Sequence, residues 1–265
     1  MIGTNLAITP KRFVPLGGAA IDTDAQAFIT AAGITNATQQ SAVNQLVLDL
    51  KSANIWTKMK AIYPIVGGTA SSHKWNLKDP RDLDAAFRLT FATGWTHSST
   101  GMLPTSAYAN TFLAANVMGQ NSVHLSAYIR TNGTGIYIGS AENRFWFTPN
   151  LNGTSGFSEL NTGAPDVGAS YTRSLNTAMW VVSRTAGTTT KTFNKGSLIH
   201  TNTLTSRTPN TYNQYIGARN NANTADNFTN TQFSLVSFGD GLTDAEIGNL
   251  TTAVNTYQTT LGRNV

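Results

Sequence analysis

Apolar residues follow a helical period near both ends of the chain and an alternating pattern in the long stretch between them. The last residues give the clearest pattern. They begin with a predicted half-buried strand that carries Phe233, Leu235, Val236 and Phe238. Thr243 and Glu246 then have the spacing of a capping box, which satisfies free amides at a helix start. The helix that follows is predicted to bury Ile247, Leu250, Val254, Tyr257 and Leu261. Gly262 then ends this helix.

Residues 22–64 are also predicted to be helical. Thr23 and Gln26 can form a capping box for a first helix that stops at Gly33, and Asn36 with Gln39 can begin a second. The second helix has an apolar stripe at Val43, Leu46, Val47 and Leu50. A third helical pattern ends at Pro64 and contains Ile55, Trp56, Met59, Ile62 and Tyr63. These helices have too few apolar residues to be stable alone, so they must pack on the following domain or on another subunit.

Beyond residue 84 the hydrophobic period changes to two, after a predicted loop at 67–81. Strands are predicted at 86–93, 106–114, 122–131, 134–140, 143–149, 154–160, 177–185, 189–194, 197–204, 212–219 and 230–238. Many short strands without intervening helices favour an antiparallel sandwich over a parallel sheet. The predicted parts are an extended N-terminal arm at 1–21, a helical segment with a linker at 22–82, and a β domain with a C-terminal helix at 83–265.

Composition and charge narrow the choice of partners. Only 12% of the residues are charged, and the net charge of +5 is spread along the chain without a basic run. We therefore predict no nucleic-acid partner, although the sequence pI is about 9.5. No apolar stretch of about eighteen residues is present, so no membrane span is predicted. The absence of cysteine excludes disulfides and thiolate metal sites, and no secretory signal pattern begins the chain.

Four segments resemble the laminin-G and concanavalin A-like jelly rolls. They occur in the order expected for that family, at residues 122–130, 179–184, 191–197 and 215–219. The C-terminal string Gly-Leu-Thr-Asp-Ala-Glu-Ile, at residues 241–247, is similar to the segment that follows the last core strand of that family. The resemblance covers about residues 84–265. It implies an antiparallel jelly-roll sandwich, and a role in binding or structure more readily than in catalysis.

The helical region resembles virion structural proteins of tailed bacteriophages, in which a short helical segment precedes a jelly roll. Residues 22–34, 50–64 and 75–89 carry this resemblance. It implies a tail, fibre or capsid-surface protein that is made in the host bacterial cytoplasm, attaches to other virion proteins by its N-terminal region and forms a homo-oligomer. The alternative is a carbohydrate-binding adhesin module for host or mucus attachment, whose partner is a cell-surface glycan.

Catalytic signatures are missing from the sequence. The only acids between residues 86 and 238 are Glu142, Glu159, Asp166 and Asp226, and none are paired at the spacing of a sandwich glycosidase. The four histidines are scattered without ligand spacing. We therefore predict that the chain is not an enzyme and has no cofactor.

Sugar recognition needs aromatic faces beside planar amides and carboxylates in a loop-lined cleft. Trp95, His97 and Tyr108 flank one loop rich in glycine, serine and threonine, and Asn221, Asn223 and Asp226 lie in a second loop. These six residues are the candidate glycan-binding set, although packing at a rim is the favoured explanation for Trp95 and Tyr108. The second loop could also bind calcium, but it offers a single carboxylate, so a hydrated polar loop is favoured.

Overall fold

The structure is a computed structural model, and it describes residues 20–163 and 170–265. Nearly the whole predicted N-terminal arm therefore lies outside the described residues. The helices are α1 (Thr23–Ala31), α2 (Ala37–Ser52), α3 (Ala70–His73), α4 (Ala115–Met118) and α5 (Asp244–Thr260). The strands are β1 (Met59–Tyr63), β2 (Thr90–Phe91), β3 (Trp95–Ser98), β4 (Gly101–Pro104), β5 (Ala109–Ala114), β6 (Val123–Ile129), β7 (Ile138–Ser140), β8 (Phe145–Thr148), β9 (Ser155–Leu160), β10 (Ser170–Thr172), β11 (Ala178–Ala186), β12 (Thr189–Asn194), β13 (Ser197–Asn202), β14 (Asn213–Ile216), β15 (Arg219–Asn221), β16 (Thr224–Asp226) and β17 (Phe233–Gly239).

Two sheets form a sandwich. The first sheet has the order β13-β12-β11-β6-β17-β4-β3, and β1 also pairs with β17. The second sheet has the order β10-β9-β8-β7-β14-β5-β2, and the hairpin β15–β16 joins it at β7. The pairs along both of these orders are antiparallel. The predicted fold class, a mostly-β jelly-roll sandwich with helices before it and a helix after it, is confirmed.

Two apolar cores hold these layers together. The inner core lies between the sheets and contains, among others, Phe145, Phe147, Trp180 and Phe238. The helix-side core lies between the outer face of the first sheet and the helices α1, α2 and α5. In it the apolar stripe of α2, at Val43, Leu46, Val47 and Leu50, meets Leu250 and Val254 of α5 and Leu235 of β17. The helices therefore pack on the sandwich of their own chain, which was one of the two alternatives left open by the sequence.

The third predicted helix, at residues 55–63, is wrong. The structure has a 3₁₀ turn at Trp56–Lys58 and then β1, which pairs with β17 across a bulge between Met59 and Ala61. The bulge turns both Met59 and Ile62 toward the helix-side core, whereas Ala61 and Tyr63 enter the inner core. Apolar residues three positions apart imitate a helical period, because one extra residue in a strand reverses its alternation. The strand also places part of the predicted helical segment within the first sheet.

Helix ends follow local capping chemistry. Thr243 and Glu246 form the predicted capping box of α5, and Gly262 follows the helix with a φ of 66°. Asn36 caps α2 as predicted, accepting a hydrogen bond from the amide of Gln39. The capping box predicted for α1 is wrong. Asp22 caps that helix instead, because its carboxylate accepts from the amide of Asp24 and also pairs with Lys51.

Several predicted boundaries change in the structure. The loop predicted at 67–81 contains the one-turn helix α3, and the strand predicted at 86–93 is reduced to the two residues of β2. The glycine- and threonine-rich stretch that follows is a hairpin, β3–β4, whereas the loop predicted around residues 220–227 forms the hairpin β15–β16. Polar residues on exposed hairpins do not alternate strongly with apolar ones, so their strand period is weak in the sequence. Among the described helices, none combines the length and the apolarity that a membrane span requires.

Candidate functional site

A groove of about 430 Å³ lies where the hairpin β3–β4 meets the loops before β7 and before β17. We call it the hydroxyl groove. Its polar lining comes from Thr105, Ser106, Thr134, Thr229 and Asn230, and its apolar lining from Leu103, Pro104 and Phe228. None of these residues has an ionisable side chain. The volume lies within the range of about 300–1,000 Å³ that is usual for small-molecule sites.

Backbone geometry shapes the groove. Gly135 has a φ of 90°, and a Cβ there would collide with the carbonyl oxygen of Phe228, so a glycine lets the two loops meet. On the opposite wall, the amide of Thr105 donates to the carbonyl of Gly94 over 2.7 Å. Ser106, the next residue, has a φ of 49°. These turns present the side chains of both walls to the same opening.

The chemistry of the groove combines one aromatic face with several neutral hydrogen-bonding groups. The Phe228 side chain is 37% exposed, although it is large and apolar. The hydroxyl of Thr229 donates to that of Thr231 over 3.1 Å, and the amide of Thr229 donates to the carbonyl of Gly217 over 2.9 Å. Hydroxyl and amide groups can each donate and accept hydrogen bonds. The groove is therefore suited to a neutral ligand that has both apolar and hydroxyl-bearing faces.

Trp95 and Tyr108, two of the predicted residues, lie beside the hydroxyl groove and do not line it. Trp95 pairs with Pro104 across the hairpin, and its ring lies so close to Gly217 that a Cβ there would approach it to 3.0 Å. The Trp95 Nε1 atom is buried without a hydrogen-bond partner. Tyr108 stacks on Tyr215, with 4.3 Å between the ring centroids. Trp95 therefore supports the wall at Pro104, whereas Tyr108 packs on β14.

His97 is joined to a second histidine. The Nδ1 atoms of His97 and His73 are 2.9 Å apart, and the amide of Gly68 donates to Nε2 of His73 over 3.1 Å. In neutral His73 the proton therefore lies on Nδ1, which donates to His97. Burial, the charge of His97 and the charge of Arg263 lower the pKa of His73 to about 3. Burial also lowers the pKa of His97, which packs edge-on against Phe91. The pair is neutral near pH 7 and holds α3 against β3.

The structure brings Asn221 and Asp226 together on the hairpin β15–β16. Asp226 receives two hydrogen bonds from Arg219, of 2.7 and 2.6 Å, and one of 3.1 Å from Asn221. The hydrogen bond from Arg219 is the main reason that the pKa of Asp226 is lowered. Asn223 occupies the turn with a φ of 68°, and its amide donates to the side chain of Asn220. Asp226 is already neutralised by Arg219, which disfavours calcium binding there. In the described ranges, no three histidine, aspartate or glutamate side chains gather as a metal site.

Trp146 sits beside this hairpin, close to two guanidinium groups. The Arg144 and Arg219 guanidinium carbons lie 5.0 and 5.3 Å from its ring centroid, and Arg144 also pairs with buried Glu159. Trp146 and Trp180 are both buried, as the sequence indicated. Because the indole ring of Trp146 is buried and lies against two guanidinium groups, it is part of the hairpin's support.

Sequence reasoning missed Phe228, Pro104 and Asn230. The hairpin β15–β16 leads directly into Phe228, so the predicted second loop lies next to the groove but not in it. One signal was available. Phe228 is a lone aromatic residue in the polar string Asn-Phe-Thr-Asn-Thr at 227–231, which lies before a predicted strand. An aromatic residue in a polar loop has no apolar neighbours along the chain to bury it.

Comparisons with known proteins give weak similarities. No family model matches the chain, and none of the curated proteins matches it. Domain 4 of the extracellular arabinanase AbnA from Geobacillus stearothermophilus, solved in complex with arabinotriose, is 13% identical. That match covers 73% of this chain and 98% of that chain, at a TM-score of 0.43. The binding domain of botulinum neurotoxin serotype D is 8% identical over 76% of this chain and 52% of its own, at a TM-score of 0.49.

The NanB sialidase from Streptococcus pneumoniae is 14% identical over 54% of this chain, at a TM-score of 0.43. The matched region is 26% of that sialidase, so the chain spans about a quarter of its length. All three TM-scores are below 0.5, so these similarities carry no argument about function. The assignment of function therefore depends on the groove itself.

Proposed function

We propose that the chain is a carbohydrate-binding module and that the hydroxyl groove holds a neutral sugar. One observation carries this proposal. A partly exposed aromatic ring, Phe228, lines the same groove as three exposed hydroxyl residues, Thr105, Ser106 and Thr134, and the exposed amide residue Asn230, with no ionisable side chain among the lining residues. A sugar has an apolar C–H face and a rim of hydroxyl groups, and this lining complements both.

The absence of charge in the lining selects among sugars. A carboxylate or sulfate on an acidic sugar would lose solvation in the groove without meeting a cation there, which is unfavourable. A neutral hexose or N-acetylhexosamine avoids this loss. We therefore propose neutral sugars as the ligand class, bound without a metal and without chemical conversion. Three of the four acids that the sequence singled out are engaged elsewhere: Glu142 accepts from the Tyr212 hydroxyl over 3.3 Å, Glu159 pairs with Arg144, and Asp226 pairs with Arg219. Asp166 lies outside the described residues.

A glycan array followed by calorimetry tests the proposal. The wild-type chain is expected to retain neutral glycans, and Phe228→Ala is expected to weaken binding about tenfold, or about 1.4 kcal/mol. The matched control is Leu198→Ala, because Leu198 is 51% exposed on β13, outside the groove lining. The proposal fails if the wild type retains no neutral glycan at millimolar sugar, or if Phe228→Ala binds as tightly as Leu198→Ala.

A structural role in a bacteriophage particle is the second candidate. It is supported by the sequence resemblance of residues 22–89 and by a groove of about 490 Å³ between α2 and α5. That groove is a concave surface on the helical region, where a neighbouring virion protein or a second copy could attach. Immunogold labelling of purified particles tests this candidate. Regular labelling at one position is expected, whereas unlabelled particles from cells that express the protein would contradict it.

A further inference from the structure

A third groove, of about 380 Å³, lies at the end of strand β4 opposite the hydroxyl groove. We call it the helix-end groove, because the start of α2 and the end of α5 form one side of it. Its lining includes Gln39, Ser99, Thr100 and Thr260 as polar residues and Val66 as an apolar one, and none of its lining residues is ionisable. Its chemistry therefore matches that of the hydroxyl groove.

Buried hydrogen bonds fix the walls of the helix-end groove. The Arg263 guanidinium is only 2% exposed, and it donates to the carbonyl of Ser99 on the hairpin β3–β4 over 3.3 Å. It also donates to the carbonyls of Pro64 and Ile65, over 3.0 and 2.7 Å. One buried cation thus ties the end of α5, the residues after β1 and the hairpin turn together. The groove is a rigid part of the fold.

Strand β4 connects the two grooves directly. Thr100 lies in the helix-end groove and immediately precedes β4, whereas Thr105 lies in the hydroxyl groove and immediately follows it. Five residue steps along a strand span about 16 Å. One monosaccharide cannot cover that distance, but a short linear oligosaccharide can.

One residue of the hydroxyl groove, Leu103, lies on the face of β4 that is directed toward the helices bordering the helix-end groove. Met102 points into the inner core, so its neighbour Leu103 points to the opposite face, where the helices lie. Leu103 is half-buried and lines the hydroxyl groove, and its partner across the hairpin is the exposed residue Thr96. Near the other end, the Gln232 side chain donates to Thr100 over 3.1 Å. The surface between the grooves is therefore uncharged at these positions.

We propose that the two grooves are the ends of one cleft along β4 and that its ligand is a linear neutral oligosaccharide. This inference rests on the proposed function, because it assumes that the hydroxyl groove holds a sugar. The hydroxyl groove binds one end of the ligand through Phe228. The helix-end groove binds a more distant sugar unit through neutral side chains such as Gln39. Affinity then rises with ligand length, because the second contact forms within an existing complex.

Calorimetry with oligosaccharides of graded length tests the cleft. The probes are β-1,4-linked oligomers of glucose and of N-acetylglucosamine, and any linear oligomer that the glycan array identifies, each from the monosaccharide to the hexasaccharide. We expect the longest ligand of the recognised series to bind at least about tenfold more tightly than its monosaccharide. Gln39→Ala should weaken binding of the hexasaccharide about fivefold and leave the monosaccharide unchanged. Phe228→Ala should weaken both.

Gln26→Ala is the matched control, because Gln26 is an exposed glutamine on helix α1 and lines none of the three grooves. If affinity does not depend on ligand length, or if Gln39→Ala equals Gln26→Ala with the hexasaccharide, the cleft is refuted and the single-sugar site remains. If the wild type binds no neutral glycan of any length, the proposed function fails and the cleft fails with it.

Discussion

The helix side of the first sheet and the groove end of the same sheet use opposite chemistry. On the helix side, α1, α2 and α5 cover the sheet with a continuous apolar cluster. At the groove end, where β4 meets the loops before β7 and β17, the surface has hydroxyl groups, an amide and one partly exposed phenyl ring. The comparison indicates that stability and recognition depend on different residues. Substitutions in one region should therefore leave the property of the other region largely intact.

The largest expected effect is on the helix side. Leu46 on α2 is 1% exposed, and truncation to alanine removes buried methyl groups and leaves a cavity. We expect Leu46→Ala to lower the free energy of unfolding by about 3 kcal/mol. Leu48 lies on the same helix and is 39% exposed, so Leu48→Ala should change the free energy of unfolding by less than about 0.5 kcal/mol. Urea unfolding followed by circular dichroism measures both.

If Leu46→Ala and Leu48→Ala lowered the free energy of unfolding by the same amount, α2 would contribute nothing to the core and the comparison between the two regions would be wrong.

The sequence alone predicted the buried stripe of α2, since Leu46 and its neighbours keep the helical period. It could not decide what covers that stripe. The residues of α5 and of β17 that contact it are about 200 positions away along the chain, and periodicity reports a buried face without its partner.

A smaller effect is expected from His124, which is fully buried on the helix side of β6. Its Nδ1 atom is 2.6 Å from the carbonyl oxygen of Asp240. Burial lowers the pKa of His124 to about 4, although the Asp240 carbonyl and the charges of Asp240 and Glu246 act in the opposite direction. Lys58 adds to the lowering. The folded state therefore resists protonation of His124 more strongly than the unfolded state, whose histidine pKa is about 6.5.

The direction of the pH effect follows from these values. Between pH 6.5 and about 4 the unfolded chain binds a proton that the folded chain does not, so stability falls as the pH falls. At pH 5 the loss from His124 is about 2 kcal/mol. We expect His124→Gln to reduce the difference in unfolding free energy between pH 7 and pH 5, measured by urea titration. Burial lowers the pKa of His73 as well, so His73 also destabilises the fold as the pH falls. Part of the difference in unfolding free energy should therefore remain in His124→Gln. An unchanged difference in the variant would contradict this assignment.

The candidate site was less predictable than the fold. Trp95 and Tyr108 were chosen because aromatic residues flanked a polar stretch, and the stretch proved to be the β3–β4 hairpin beside the groove. Phe228 was missed because it belongs to no periodic segment, and only the meeting of two loops exposes it. Arg263 could not be interpreted from the sequence either. Its role depends on carbonyl groups of residues 64, 65 and 99, which the fold brings to the C-terminus.

The smallest expected change in stability sharpens the comparison most, because it contrasts two residues of the same type. Phe28 on α1 is 0% exposed in the helix-side core, and Phe228 in the hydroxyl groove is 37% exposed. Phe28→Ala should cost about 3 kcal/mol of unfolding free energy, as much as Leu46→Ala, whereas Phe228→Ala should cost less than about 0.5 kcal/mol. Urea unfolding and glycan binding are measured on the same preparation. A folded Phe228→Ala variant with weakened glycan binding assigns the ring to recognition. If Phe228→Ala loses as much stability as Phe28→Ala, the ring serves packing and the division between the two regions is wrong.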